Sequence, residues 1–316
     1  MSPLRMLSAG CLLLTASALP LRTAPADETT PQPAARYLII HGDDAGMSHS
    51  ANMGTIDAME KGIVSSASIM VPSPWLVEIA EYAKAHPERD FGIHLTLNCE
   101  WKRYRWGTVA SRDRVPSLLD KDGYMWGSVE DVGKHAKAEE VEIELRAQIE
   151  RAKQFGIPFT HLDTHMGSVL ARPDLVNIYV KLGLEYDVPV LFLGTFNEEL
   201  AKEWPALVEA GKQLLPKLRE RRLPVLDQLA QFYGEQPGMT RREAYMQTLR
   251  QLPLGVSQLI IHCGYEDAEL KAITGSAPQR DEDRRVFSDP EVMQLVKDLG
   301  IQVISWKQFR AMQDKD

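Results

Sequence analysis

Several things are scarce in this sequence, and each scarcity excludes a class of protein. Three cysteines in 316 residues cannot make a disulfide scaffold. Basic residues are outnumbered, 36 Lys and Arg against 44 Asp and Glu, giving a formal charge of −8. No basic stripe or tail offsets that balance, so nucleic acid is not an expected partner. No glycine-rich dinucleotide fingerprint follows the first predicted strand, which weighs against a doubly wound open sheet. The apolar run from Ala9 to Leu21 falls short of the roughly 20 residues that span a bilayer, so no stable membrane insertion is expected after processing.

That short run fits another purpose. Arg5 precedes Leu12-Leu13-Leu14-Thr15-Ala16-Ser17-Ala18-Leu19, and Ala24-Pro25-Ala26 supplies small residues before Asp27. This is the pattern of a secretory signal peptide over residues 1–26. Its removal takes away Arg5 and Arg22 and no acid, moving the formal charge from −8 to −10. The expected location is periplasmic or extracellular. Leu7-Ser8-Ala9-Gly10-Cys11 resembles a lipoprotein box, but the apolar segment lies after Cys11 instead of before it, so acylation there is the weaker reading. Residues 27–35 have the composition of a flexible linker. Whether Cys99 and Cys263 pair is open, as is the oligomeric state, a homodimer included.

From Arg36 onwards, short apolar runs alternate with helical periodicity. Strands are expected at 37–40, 65–71, 91–97, 159–163, 188–193, 257–262 and 301–304. Helices are expected at 50–61, 74–85, 138–155, 174–184, 290–299 and 306–313, with 198–252 mostly helical between prolines. Seven strands alternating with helices, without an obvious linker, predict an α/β fold. It is read as one irregular (β/α) barrel of about seven parallel strands, TIM-barrel-like, over residues 36–316. One long segment breaks the rhythm: between Asn98 and His135 lie Trp101, Tyr104, Trp106, Tyr124 and Trp126. A sugar-stacking wall and a satellite cluster folding the loop onto the barrel are both open.

In such a barrel the catalytic groups come from the C-terminal ends of several strands. The first strand runs into Gly42-Asp43-Asp44-Ala45-Gly46. Adjacent side chains at a strand end point in different directions, so one carboxylate can bind a cation while the other handles a proton. His94 lies in the third strand, His161, Asp163 and His165 bracket the end of the fourth, and His262 ends the sixth. A single histidine is more often a packed, hydrogen-bonded one. Four of eight falling in these three segments beside two aspartates is harder to explain by packing. One Asp with two His suits a divalent cation, Mg2+ or Zn2+, and leaves positions open for water and substrate. The neighbouring carboxylate can take a proton from that water, and His262 can protonate a leaving group.

Six segments then occur in a telling order: His41-Gly42-Asp43-Asp44-Ala45-Gly46, Asn52 to Ala58, Gly62 to Ser68, Gly92-Ile93-His94-Leu95-Thr96-Leu97, Thr160-His161-Leu162-Asp163-Thr164-His165, and Ile261-His262-Cys263-Gly264-Tyr265. This ordered set resembles the YdjC-like (ChbG/HpnK) carbohydrate deacetylases from about Leu38 to Trp306. The resemblance implies a metal-dependent hydrolase that removes acetyl groups from N-acetylated sugars. It also implies Asp44, His94 and His165 as metal ligands, Asp43 as base and His262 as acid. The chain departs from the family in His165-Met166-Gly167-Ser168, where further histidines are usual, and in His262-Cys263-Gly264 in place of His-Pro-Gly. An arginine common after the fifth strand is missing from Val190-Leu191-Phe192-Leu193-Gly194.

Other readings compete. A carboxylate-pair glycosidase would use Asp43 with Asp163, an iron enzyme the same two-His-one-carboxylate set, and a non-catalytic saccharide-binding barrel neither. Arg280 and Arg284 are open to two readings, reaching the mouth of the barrel or, the preferred one, forming solvated ion pairs. Cys263 beside His262 suggests a cysteine nucleophile, but no second partner is placed by sequence.

Overall fold

The computed structural model describes residues 35–231 and 238–313. The expected signal peptide and, apart from Ala35, the expected linker lie outside the described residues. Among the described residues the strands are β1 Arg36–Ala45, β2 Ser66–Ile69, β3 Phe91–Leu95, β4 Leu162–Thr164, β5 Gln228–Gln231, β6 Gly255–His262 and β7 Ile301–Val303. The helices are α1 His49–Lys61, α2 Leu76–Ala85, α3 Val129–His135, α4 Ala138–Gln154, α5 Pro173–Tyr186, α6 Glu198–Glu203, α7 Pro205–Glu220, α8 Arg241–Arg250, α9 Ala268–Ile273, α10 Ala277–Val286, α11 Pro290–Asp298 and α12 Trp306–Gln313. No helix among the described residues is long and apolar enough to cross a membrane.

The strands pair in parallel in the order β4-β3-β2-β1-β6-β5, with β7 beside the start of β1. The sheet is an open half-barrel, not the closed TIM-like barrel that the strand count predicts. From β4 round to β5, the links among the described residues are single bridges, Leu162 with Val190 and Leu193 with Leu226. The expected fifth strand at 188–193 supplies those bridges but no ladder. Pro189 within it has no N–H to donate. The ladder strand is instead β5, in a stretch read as helical. Its sequence, Gln-Leu-Ala-Gln, carries no strong β signal and is held by pairing with β6.

The two faces of β1 show how the core sets the site. Leu38 and Ile40 pack into the main apolar core with residues of the surrounding helices. Ile39 points the other way, into an apolar plug with Leu226, Val256, Ile304, Trp306 and Phe309. Because strand side chains alternate, His41 and Asp43 follow Ile39 on that inner face. The Trp306 indole stacks on the His161 ring at 5.0 Å and donates to Gln258 Oε1 at 2.8 Å, so the plug ends in polar groups.

The long segment after β3 is laced to α4. The buried Glu144 accepts from the backbone N–H groups of Val109 and Ala110, and Gln148 bonds both the N–H and C=O of Thr96. Trp101, Tyr104 and Trp106 pack with Met47, Cys99 and Met125 as a satellite cluster.

Helix α1 approaches the turn after β6 so closely that a Cβ on Gly54 would sit 2.5 Å from Gly264 Cα. Gly264 meets it with backbone, which cannot step aside. Gly54→Ala is expected to destabilise the protein by about 1–3 kcal/mol in urea unfolding. Gly133→Ala in α3, whose Cβ would make ordinary contact with Ala171 at 3.6 Å, should stabilise it by about 0.4–1 kcal/mol.

Candidate active site

The site begins with an irregularity in β1. Against β2 the register runs Gly42 with Ala67 and then Ala45 with Ile69, so β1 holds one extra residue. Asp44 takes up that residue in the left-handed region, with φ +67°, a conformation that Asp tolerates better than most side chains. Strand alternation would have sent Asp43 and Asp44 to opposite faces. The bulge instead brings both carboxylates to one histidine: His94 Nε2 lies 3.8 Å from Asp43 Oδ2 and 3.4 Å from Asp44 Oδ1. The expectation that the pair diverges is corrected by this turn.

Three buried side chains converge here. His94 Nε2 and His165 Nδ1 lie 3.4 and 3.1 Å from Asp44 Oδ1. Each has its outer atom held. Asp163 Oδ1 bonds His94 Nδ1 at 2.7 Å, Glu100 Oε2 bonds His165 Nε2 at 3.0 Å, and Arg280 donates to Asp44 Oδ2 at 2.6 Å. Asp163 is itself held through its second oxygen by His41 Nε2 at 2.9 Å, and the other His41 nitrogen bonds Ser66. β3 and β4 set the first of these contacts directly, since His94 and Asp163 are register partners.

Burial magnifies the charges. It opposes ionisation of Asp44, but the Arg280 guanidinium, with His165 and His94, holds that carboxyl well below the usual range. Asp163 is likewise held low, against burial, by His94 and His41. His94 would be depressed by burial, yet Asp163 and Asp43 raise it well above an ordinary imidazole. Against the same burial, Glu100 and Asp44 push His165 up to about 9. Asp43 behaves differently: burial pushes it up to about 7, with His94 opposing and Asp163 adding. Its Oδ1 lies 3.3 Å from His41 Nε2, but that nitrogen is committed to Asp163, and the buried oxygen accepts no hydrogen bond.

His262 ends β6 as the register partner of Asp43. Its backbone N–H donates to Asp283, while burial and Arg280 push its imidazole down to about 3. His161 sits deeper, between Trp306 and His41, and burial holds it well below an ordinary imidazole.

Sequence reasoning missed three contributors. Arg280, expected to be solvated, is buried against Asp44, and no pattern in α10 announces that. Arg284 pairs with Asp57 and Asp281 as expected, but with all three side chains mostly buried instead of solvated. Glu100 lies in the loop following β3, without a motif to mark it. His41 was legible, since it is two residues before Asp43 on one strand face. Besides Glu100, the loop meets the site through aromatic rings: the edge of Trp106 on His165 at 6.2 Å, and Trp101 beneath the Arg280 guanidinium at 5.9 Å. Cys99 and Cys263 are buried free thiols. Burial raises the Cys263 thiol far above the range of a nucleophile, which removes the cysteine reading. Both Asp163 oxygens bond histidines, which weighs against the glycosidase pair.

The donor set suits a divalent cation. The candidate ligand atoms of Asp44, His94 and His165 all lie within 4.8 Å of one another. Ligands bound at about 2.0–2.2 Å from one ion sit about 3–3.5 Å apart across its coordination angles, as the two contacts of Asp44 Oδ1 do. The unpartnered Asp43 Oδ1 beside them is the kind of buried polar atom that a bound water or ion satisfies.

Residues 37–298 match the family described as YdjC-like protein. A carbohydrate deacetylase of Thermus thermophilus is 33% identical over 275 residues, covering 87% of this chain and 94% of the relative. One of Brevibacillus brevis is 30% identical over 273 residues, covering 86% and 99%. Among solved structures, an Enterococcus faecalis V583 protein described as a cellobiose-phosphate cleavage protein superposes with a TM-score of 0.74 at 25% identity, covering 87% of this chain and 99% of that one. With its match running from β1 to the end of α11, the chain belongs to the YdjC-like family.

Proposed function

We propose that this protein is a metal-dependent deacetylase that hydrolyses an acetyl group, an N-acetyl before an O-acetyl, from a carbohydrate. The observation that carries the proposal is the convergence of Asp44, His94 and His165 beside the unpartnered oxygen of Asp43. The carbohydrate deacetylases among its relatives support the substrate class.

In this reading Asp44 Oδ1, His94 Nε2 and His165 Nδ1 hold the cation, Mg2+ or Zn2+. Such a cation supplies Lewis acidity when bound, acidifying water and polarising the acetyl carbonyl. Asp43 takes the proton of the attacking water, and a carboxyl near 7 is well matched to that task at neutral pH. His262 stands opposite Asp43 across the β1–β6 ladder. Being uncharged at neutral pH, it acts as acid only after gaining a proton, and the one removed from water balances the one the leaving amine or alkoxide needs. Export through residues 1–26 would place the substrate outside the cytoplasm.

The adjacent aspartates should separate in a test. Purified, metal-loaded protein is expected to release acetate from acetylated glycans and to stop in chelator. Asp43→Asn should keep its metal while turnover falls about 10²- to 10⁴-fold. Asp44→Asn should lose metal affinity and recover partly in excess metal. No acetate from a broad glycan panel would remove the proposal, and metal loss in Asp43→Asn alone would reverse the two roles.

Metal uptake should also compete with protons. Without a cation, His165 carries its proton up to about pH 9 and His94 keeps its own well above the usual range. Cation affinity should therefore rise from pH 6 towards 9, with protons released on binding. Titration calorimetry in buffers of differing ionisation enthalpy checks this; heats and affinities independent of buffer and pH would contradict it.

A further inference from the structure

The two histidines of the convergent set present different nitrogens. His94 turns Nε2 toward Asp44 and Nδ1 toward Asp163, whereas His165 turns Nδ1 toward Asp44 and Nε2 toward Glu100. With a cation on Asp44 Oδ1 the nitrogens facing it would ligate through their lone pairs, while Asp163 and Glu100, which can only accept a hydrogen bond, keep the hydrogen on the opposite nitrogen of each ring. We infer that Glu100 and Asp163 are positioning residues that hold the two imidazoles in opposite tautomers, His94 ligating through Nε2 and His165 through Nδ1.

This rests on the proposal that Asp44, His94 and His165 bind a cation, and it assigns Glu100 a task that its place in the sequence does not suggest. The loop carrying Glu100 is fixed for that purpose. Cys99 donates its N–H to the Trp126 carbonyl at 2.7 Å, and its sulfur accepts from the Trp106 N–H at 3.3 Å. Glu100 follows directly, and its side chain is still 22% exposed. A substitution there is tolerated by the fold more readily than one at Asp163, which also anchors His41. Ser68 Oγ lies 3.1 Å from His94 Nδ1 and 3.2 Å from His41 Nε2, so His94 has a second partner on its outer nitrogen. Among the described residues, His165 Nε2 has Glu100 as its hydrogen-bond partner. Loss of Glu100 therefore frees the His165 ring to turn or change tautomer, while His94 stays in place.

The test uses the whole chain, zinc, and the variants Glu100→Ala and Glu100→Gln. Zinc affinity is measured by competition with a chromophoric chelator, and the ring nitrogens by long-range ¹H–¹⁵N correlation in the zinc-loaded protein. Wild type is expected to show one ligating histidine protonated at Nδ1 and one at Nε2. Glu100→Ala should bind zinc about 10- to 100-fold more weakly and lose the Nε2–H signature of His165. Glu100→Gln, whose carbonyl oxygen still accepts, should restore most of both. Two histidines ligating through the same kind of nitrogen, or undiminished affinity in Glu100→Ala, would overturn the inference. Wild type that takes up no zinc would overturn the cation site and this inference together. Mixed tautomers without acetate release would support the inference and count against the deacetylase reading alone.

Discussion

The left-handed turn at Asp44 is the constraint on which the site depends. A regular β1 would send one aspartate into the concave face and the other into the helix layer, where an ionised carboxylate has no place among Leu38, Ile40 and their neighbours. One inserted residue keeps both carboxylates inside. The strained conformation persists because Asp44 is tied down on several sides: Met47 N–H bonds its carbonyl, and His165 and Arg280 bond its side chain.

Around that turn the interior of the half-barrel is layered by polarity. Apolar side chains fill the bottom around Trp306, His161 and His41 lie above them, and Asp163 joins His41 to His94. Asp43, Asp44 and His165 top the column. Almost every oxygen and nitrogen in this column has a partner, which is how charged groups are tolerated at such depth. Asp43 Oδ1 and His161 Nε2 are exceptions, and of these two Asp43 Oδ1 stands where the chemistry would occur. The same arrangement separates two neighbours chemically: Arg280 keeps Asp44 ionised, while burial leaves Asp43 close to neutrality in its titration.

Much of this was legible in the sequence, for identifiable reasons. β1 and β6 are apolar runs that lead into Asp43-Asp44 and His262, β3 carries His94 one residue before its end, and the C-terminal ends of neighbouring strands meet in a parallel sheet, so Asp43, Asp44, His94 and His262 were placed before the fold was known. The ordered motifs singled out His165 from His161 and Asp163, which also bracket the end of the fourth strand. Opening of the barrel was not legible, because the difference between a ladder and two isolated bridges lies in one proline and in long-range pairing. β5 was missed for the same reason, since a short polar strand is defined by its neighbour and not by its own period. Arg280 and Glu100 contribute through tertiary contacts alone. Adjacent aspartates looked divergent because a bulge depends on register, which spacing does not encode.

The proposed function stands on Asp44, His94 and His165 forming one cation site, braced from outside by Arg280, Asp163 and Glu100. Anomalous scattering from a crystal grown with zinc, collected on both sides of the zinc absorption edge, tests it most directly. One peak is expected, bonded to His94 Nε2, His165 Nδ1 and Asp44 Oδ1 at about 2.0–2.2 Å, with Asp43 beside it and not bound. A peak centred on Asp163 and His41, or none within the half-barrel, would contradict it.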